Sequence, residues 1–315
     1  MRYSPSKKNP SIPRNADMTA ADLIRMLCLA ALWGGSYAFM RVVAPVFGGV
    51  GTMWLRVSIA GVVLLVYALV TREDLQFSRW WKQYLFIGVM NSALPFFLIA
   101  FAMKTLPAGY GAILNALSPF FAALFAASML NERLTALRLL GMALGLTGVG
   151  LIINLGPIPL NAETLTAAAA SITATCLYGF IIVYTKKYTQ DAPNMGIAVG
   201  TLILPAILVS PIGLLSVPPV MPATHVLLSL IGLAVLCSAV AYLLYYRLIR
   251  DVGPTRAISV TFLIPLFGVT WGALLFGETL NGGAVVGGIV VLIGVALVLG
   301  LLPYNVQARN IERHP

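Results

Sequence analysis

Residues 118–134 read SPFFAALFAASMLNERL, and residues 264–280 read IPLFGVTWGALLFGETL. Each stretch has a proline at its second position, an apolar run, and a glutamate that closes it. Pro119 pairs with Glu132 and Pro265 with Glu278, at a common offset of 146 residues. At the same offset Gly141 matches Gly287, Gly148 matches Gly294, Lys104 matches Arg250 and Asn115 matches Thr261. Further upstream, Trp33–Gly34 matches Tyr178–Gly179 at an offset of 145. One unit has therefore been written twice.

Composition says which solvent that unit meets. Hydrophobic residues make up 59% of the chain and charged residues 10%, with a mean hydropathy of +0.92. A soluble domain carries about 25% charged residues. The polar residues are too few to coat a water-facing surface, so part of the surface faces lipid. The net charge of +10 does not point to nucleic acid, because the basic residues lie between long apolar runs rather than on a periodic soluble element. Cys28, Cys176 and Cys237 are scattered in apolar runs, and the only histidines are His225 and His314. That inventory supports no disulfide framework, no metal centre and no cofactor.

A membrane helix needs about 20 mostly apolar residues. Ten runs qualify: 23–43, 51–71, 83–103, 107–130, 136–153, 164–185, 195–215, 226–248, 255–277 and 282–302. The leader over 1–22 is basic and proline-bearing, and reads as a disordered cytoplasmic tail followed by a retained first helix. Residues 303–315 read as a second cytoplasmic tail. With the N-terminus inside, 14 Lys and Arg fall on inner segments and 5 on outer ends, the latter being Arg41, Lys104, Arg247, Arg250 and Arg256. That bias predicts both termini in the cytoplasm of an inner-membrane protein, with a local exception around the eighth and ninth helices. The repeats cover 23–153 and 164–302, five helices each. Because five is odd, the second copy enters the bilayer from the opposite side. The expected fold is all-α, with two inverted five-helix repeats around a central cavity.

Four segments resemble a known family: ALWGGSYAFMR (31–41), LRVSIAG (55–61), NERLTALRLLGMALGLTGVGLI (131–152) and FGETLNGGAVVGGIVVLIGVALVL (276–299). They resemble the EamA-type branch of the drug/metabolite transporter superfamily, in two tandem units. The resemblance implies ten helices and carriage of small metabolites, often outward, with cargoes that range from amino acids to vitamins.

The residues themselves offer a site. Trp33, Tyr37 and Arg41 lie four apart on one helical face, an aromatic and basic stripe suited to stacking and to a carboxylate or phosphate. Tyr178 is the second-half counterpart of Trp33. Tyr242, with Ser238, Tyr245 and Tyr246, forms another stripe, and Asn91 lies beside the corresponding positions of the third helix. Hydroxyls at membrane depth need partners, which a wet cavity supplies. Asn115 and Thr261 are matched polar residues within the fourth and ninth helices. The candidate substrate contacts are thus Trp33, Tyr37, Asn91, Asn115, Tyr178, Tyr242 and Thr261. Arg41 and Arg56 read as structural or gate residues, Arg56 being close enough to the outer end to snorkel. Glu132 and Glu278 sit at inner and outer helix boundaries, where each suits the N-terminus of the helix that follows it, with a gate or proton role as the alternative.

No H-E-x-x-H motif or pair of membrane aspartates marks an intramembrane enzyme. The expectation is a carrier whose partners are a small-molecule substrate and the bilayer. A basic outer rim over deeper aromatics favours efflux of amino-acid-like or ring-containing zwitterionic or anionic compounds. The alternative is uptake of a vitamin or other ring metabolite such as a flavin.

Overall fold

The computed structural model describes residues 19–132, 134–155, 161–252, 257, 260–261, 263–279 and 282–298, and contains no strand among them. The first helix, α1, spans Ala20–Val70. Thr19 and Asp22 cap it reciprocally: the Asp22 amide donates to Thr19 Oγ1 (3.2 Å) and the Thr19 amide to Asp22 Oδ2 (3.1 Å). Its 51 residues do not run straight. Gly48 takes a φ of 65° and a ψ of 177°, a conformation open chiefly to glycine, three residues after Pro45. Arg56 Nη1 lies 3.6 Å from Met40 Sδ, although the two are 16 residues apart. A continuous helix would separate them by about 24 Å. The chain therefore doubles back at Gly48, and α1 is two antiparallel arms.

After α1 come α2 (Phe77–Gly88), a π segment (Val89–Ala93) and α3 (Leu94–Ala102), which together make one apolar rod. A second rod is α4 (Ala108–Asn115) followed by α5 (Ser118–Leu130). Then follow α6 (Ala136–Leu155), α7 (Ala162–Tyr188) and α8 (Asn194–Leu215). α9 (Thr224–Ile231), a second π segment (Gly232–Val240) and α10 (Ala241–Val252) form another rod. α11 (Ile264–Phe276) and α12 (Gly282–Val298) complete the described chain. Among the described residues, six helical stretches are long and apolar enough to cross a membrane, and three shorter apolar helices accompany them. Large apolar side chains point outward, among them Ile207, Leu208 and Ile212 on α8. This is a polytopic membrane protein, whose outward face is wetted by lipid.

The repeat is visible in the packing. α5 and α11 each carry a proline in the first turn, where its missing N–H costs nothing. Each ends on a left-handed residue, Asn131 (φ 56°) and Gly277 (φ 63°), again 146 apart. A Cβ on Gly34 would press on Phe267 and Gly268, and one on Gly179 would press on Phe121 and Ala122, the repeat mates of those two residues. α6 and α12 cross through glycine: a Cβ on Gly141 would lie 2.5 Å from the Gly294 carbonyl oxygen, and one on Gly148 2.7 Å from that of Gly287. Gly141 thus meets the mate of Gly148, and Gly148 the mate of Gly141, with the two helices antiparallel. That reciprocity is the signature of a two-fold between inverted halves.

One assignment made from the sequence is corrected. Arg25, at the start of α1, pairs with Asp251 at the end of α10 (2.8 Å), and Arg247 (3.6 Å) and Arg250 (3.5 Å) pair with the same carboxylate. Arg247 and Arg250 therefore share the end where α1 begins, not the opposite end. Two of the five charges counted with the far end, Arg247 and Arg250, thus lie at the end where α1 begins. Arg256 lies outside the described residues.

Candidate substrate site

Arg56 is the most unusual side chain in the fold. It lies eight residues beyond the Gly48 turn, about 12 Å down the second arm of α1. That depth is beyond comfortable snorkelling, and the residue is only 3% exposed. Its Nε donates to Ser238 Oγ at 2.9 Å, and its guanidinium carbon stands 3.7 Å from the centroid of the Phe96 ring. Tyr37, Tyr178, Tyr242 and Cys237 lie within electrostatic range. No described Asp or Glu forms an ion pair with it. The expected position near the outer end gives way to a buried one, because the tight return at Gly48 folds Arg56 against the first arm.

The two π segments build the shell around this charge. Ser238 lies in the second, and its hydroxyl also donates to the Leu233 carbonyl (3.2 Å), an acceptor one turn back at π spacing. Its repeat mate Ser92 lies in the first and is fully buried. Beside it, Asn91 donates from Nδ2 to the Tyr242 hydroxyl at 3.2 Å. π insertions recur at functional sites because the extra residue re-aims side chains that a regular helix would point elsewhere. Phe96, whose ring lies under Arg56, is the repeat mate of Tyr242.

Of the residues singled out from the sequence, Tyr37, Arg56, Asn91, Tyr178 and Tyr242 converge here. Trp33 joins at a distance, through ring contacts with Tyr245 (5.3 Å), from Tyr245 to Tyr246 (5.8 Å), and from Tyr246 to Tyr242 (6.1 Å). Asn115 ends α4 with Oδ1 buried and without a partner, and Thr261 is half-buried in the turn before α11. Neither is among the hydrogen-bond or ring partners of Arg56. Sequence reasoning missed Met40 and Cys237 as neighbours of that charge. The pairing of two π segments left no signal beyond the repeat offset itself.

The glutamates occupy opposite ends. Glu278 forms an ion pair with Arg41 and accepts from the Ala108 amide (3.0 Å) and the Gly109 amide (3.3 Å). It caps α4, not the helix that follows it as the sequence led us to expect. The left-handed Gly277 ends α11 and swings the carboxylate across, and the absence of a Cβ at Gly272 leaves room for it. Glu132 instead meets side chains, those of Lys186 (3.3 Å) and Arg138 (3.5 Å), and is 36% exposed. A cavity of about 170 Å³ opens beside it, lined by Pro119, Ala126, Glu132, Ile182 and Lys186 among others.

Comparison with known proteins agrees with this architecture. The EamA-like transporter family matches residues 22–154 and again 165–300. Protein PecM of Dickeya dadantii (strain 3937) is 26% identical, over 85% of this chain and 88% of its own. The inner membrane transporter YedA of Escherichia coli K12 is 25% identical over 81% and 83%. A probable amino-acid metabolite efflux pump of Salmonella typhimurium is 26% identical over 64% and 70%. One crystal structure, 17% identical, superposes with a TM-score of 0.65 over 90% of this chain and 98% of that one, which speaks to the fold alone.

Proposed function

The chain belongs to the EamA-like transporter family, and on that premise we propose that it moves small zwitterionic or anionic metabolites with a ring or apolar portion by alternating access, outward from the cell. It is a small-molecule transporter rather than an enzyme. The finer reading has ten passes in two five-helix units, over 23–153 and 164–302, with both termini on the cytoplasmic side of the inner membrane.

The observation that carries the substrate class is Arg56. A guanidinium withdrawn from water without a carboxylate costs several kcal/mol. A substrate carboxylate or phosphate repays that cost when it binds, and pairs bidentately with the fork. Tyr37, Tyr178 and Tyr242, within electrostatic range of that charge, are aromatic residues at hand for the rest of the molecule. Arg247 and Arg250 leave the basic rim that first favoured anionic cargo, so the deeper charge now carries that preference. The Salmonella relative, named as an amino-acid metabolite efflux pump, lies in the same chemical class.

The test is counterflow of labelled amino acids and aromatic acids in vesicles holding the pure protein. Saturable exchange of anionic or zwitterionic compounds, lost in Arg56→Gln, is the expected result. Exchange of cationic amphiphiles alone, indifferent to Arg56→Gln, would sink the reading. The file of rings from Trp33 to Tyr242 favours a second reading, uptake of a flavin-like ring compound. Exchange of such a compound from the outer side would select it.

A further inference from the structure

The two oxygens of Glu278 hold three elements together: α11, which carries it, the first arm of α1 through Arg41, and the start of α4 through the Ala108 and Gly109 amides. α1 and α4 belong to the first half and α11 to the second. Bonds across the halves at one end resist any rocking that opens that end. The Arg41 guanidinium is itself held in place, 5.0 Å over the Phe276 ring. Glu278 is 10% exposed, and its negative charge faces two unpaired amides of a helix N-terminus, where an anion is best stabilised.

The opposite end carries the same parts in another state. Glu132 is the repeat mate of Glu278, and Lys186 is the mate of Arg41 at the 145 offset. The pair again joins the halves, because Glu132 follows α5 and Lys186 ends α7. Here, however, Glu132 is 36% and Lys186 64% exposed, their atoms are 3.3 Å apart, and the pair borders an open cavity. At one end the carboxylate is capped and nearly buried, and at the other it borders a cavity.

We propose that Glu278, with Arg41, is the latch that holds the outer end closed, and that Glu132, with Lys186, is its inner counterpart. The outer latch is set in this conformation and the inner one is loose. Opening outward requires the Glu278 carboxylate to leave the α4 N-terminus. The inference rests on the alternating-access reading, and its test separates the two.

A single cysteine at Ala112, fully buried where α4 meets Gly268 of α11, reports outer opening. It is placed in a background with Cys28, Cys176 and Cys237 changed to alanine, and labelled from outside with a membrane-impermeant maleimide. Loss of charge-assisted bonds in Glu278→Gln should speed labelling by about tenfold or more. Arg41→Gln should move it the same way, and Glu132→Gln should leave it unchanged or slow it. Glu278→Asp, too short to span the gap but still charged, gives an intermediate rate and serves if the glutamine variant folds poorly. Labelling unchanged in both Glu278 variants would overturn the latch. So would equal acceleration by Glu132→Gln, which reports general loosening. Faster labelling in Glu278→Gln alone, in a protein that shows no counterflow of any metabolite, would keep the latch and sink the carrier reading.

Discussion

At the residue scale, function and stability pull against each other at Arg56. A buried cation held by one hydroxyl, one thioether and one ring is poorly compensated. Replacing such a group with an apolar side chain of similar volume is often neutral or stabilising by about 1–4 kcal/mol. Arg56→Met is therefore expected to unfold at the same or a higher temperature in detergent while losing exchange of anionic substrate. A sharp fall in the unfolding temperature would instead make Arg56 a structural residue. Tyr242→Ala removes the acceptor of the Asn91 bond and one ring of the shell. An aromatic contribution of about 0.5–1.5 kcal/mol predicts at most a roughly tenfold loss in apparent affinity, read from exchange at equal expression. The charge at position 56 was legible in the sequence as an oddity. Its burial was not, because the reversal near Gly48 was expected but not which side chains of the two arms would close around position 56.

At the element scale, the repeat offset carried most of the information. It located equivalent prolines, glutamates and glycines, and the fold pairs them as inverted halves require. It could not say which glycine would touch which. Gly141 and Gly148 read only as generic small residues, whereas the structure sets them against Gly294 and Gly287 with no room for a side chain. Gly148→Leu should force α6 and α12 apart, at a cost of about 1–3 kcal/mol or more from overpacking. Expression and thermal unfolding would register the loss. Gly150, where a Cβ would meet nothing within 4 Å, is the control: Gly150→Ala should be silent. The assignment of Glu278 to the wrong helix has a similar origin. Local sequence offers the following N-terminus as the nearest candidate, but the left-handed turn at Gly277 hands the carboxylate to a helix 170 residues away.

At the scale of the whole molecule, the acids bear on energy coupling. Among the described residues, Asp22, Glu73, Asp74, Glu132, Glu163, Asp191, Asp251 and Glu278 all lie at or beyond the ends of the helical rods. A proton relay through the membrane normally uses a carboxylate at depth. The buried charge here is instead a cation, so the expected driving forces are the substrate gradient and exchange. Flux into vesicles should then proceed without an imposed pH gradient and respond to substrate loaded on the far side. Among the described carboxylates, those placed to couple protons are the two at the gates, Glu132 and Glu278. The measurement is uptake with and without an inward proton gradient, on the wild type and on Glu132→Gln and Glu278→Gln. Gradient-independent exchange in all three fits the arrangement, with turnover changed by the gates but not its driving force. Proton drive abolished by one substitution would promote that glutamate from latch to coupling residue. Strong proton drive surviving both would rule out coupling by exchange alone, and would require a path through hydroxyls and water along the tyrosines around Arg56.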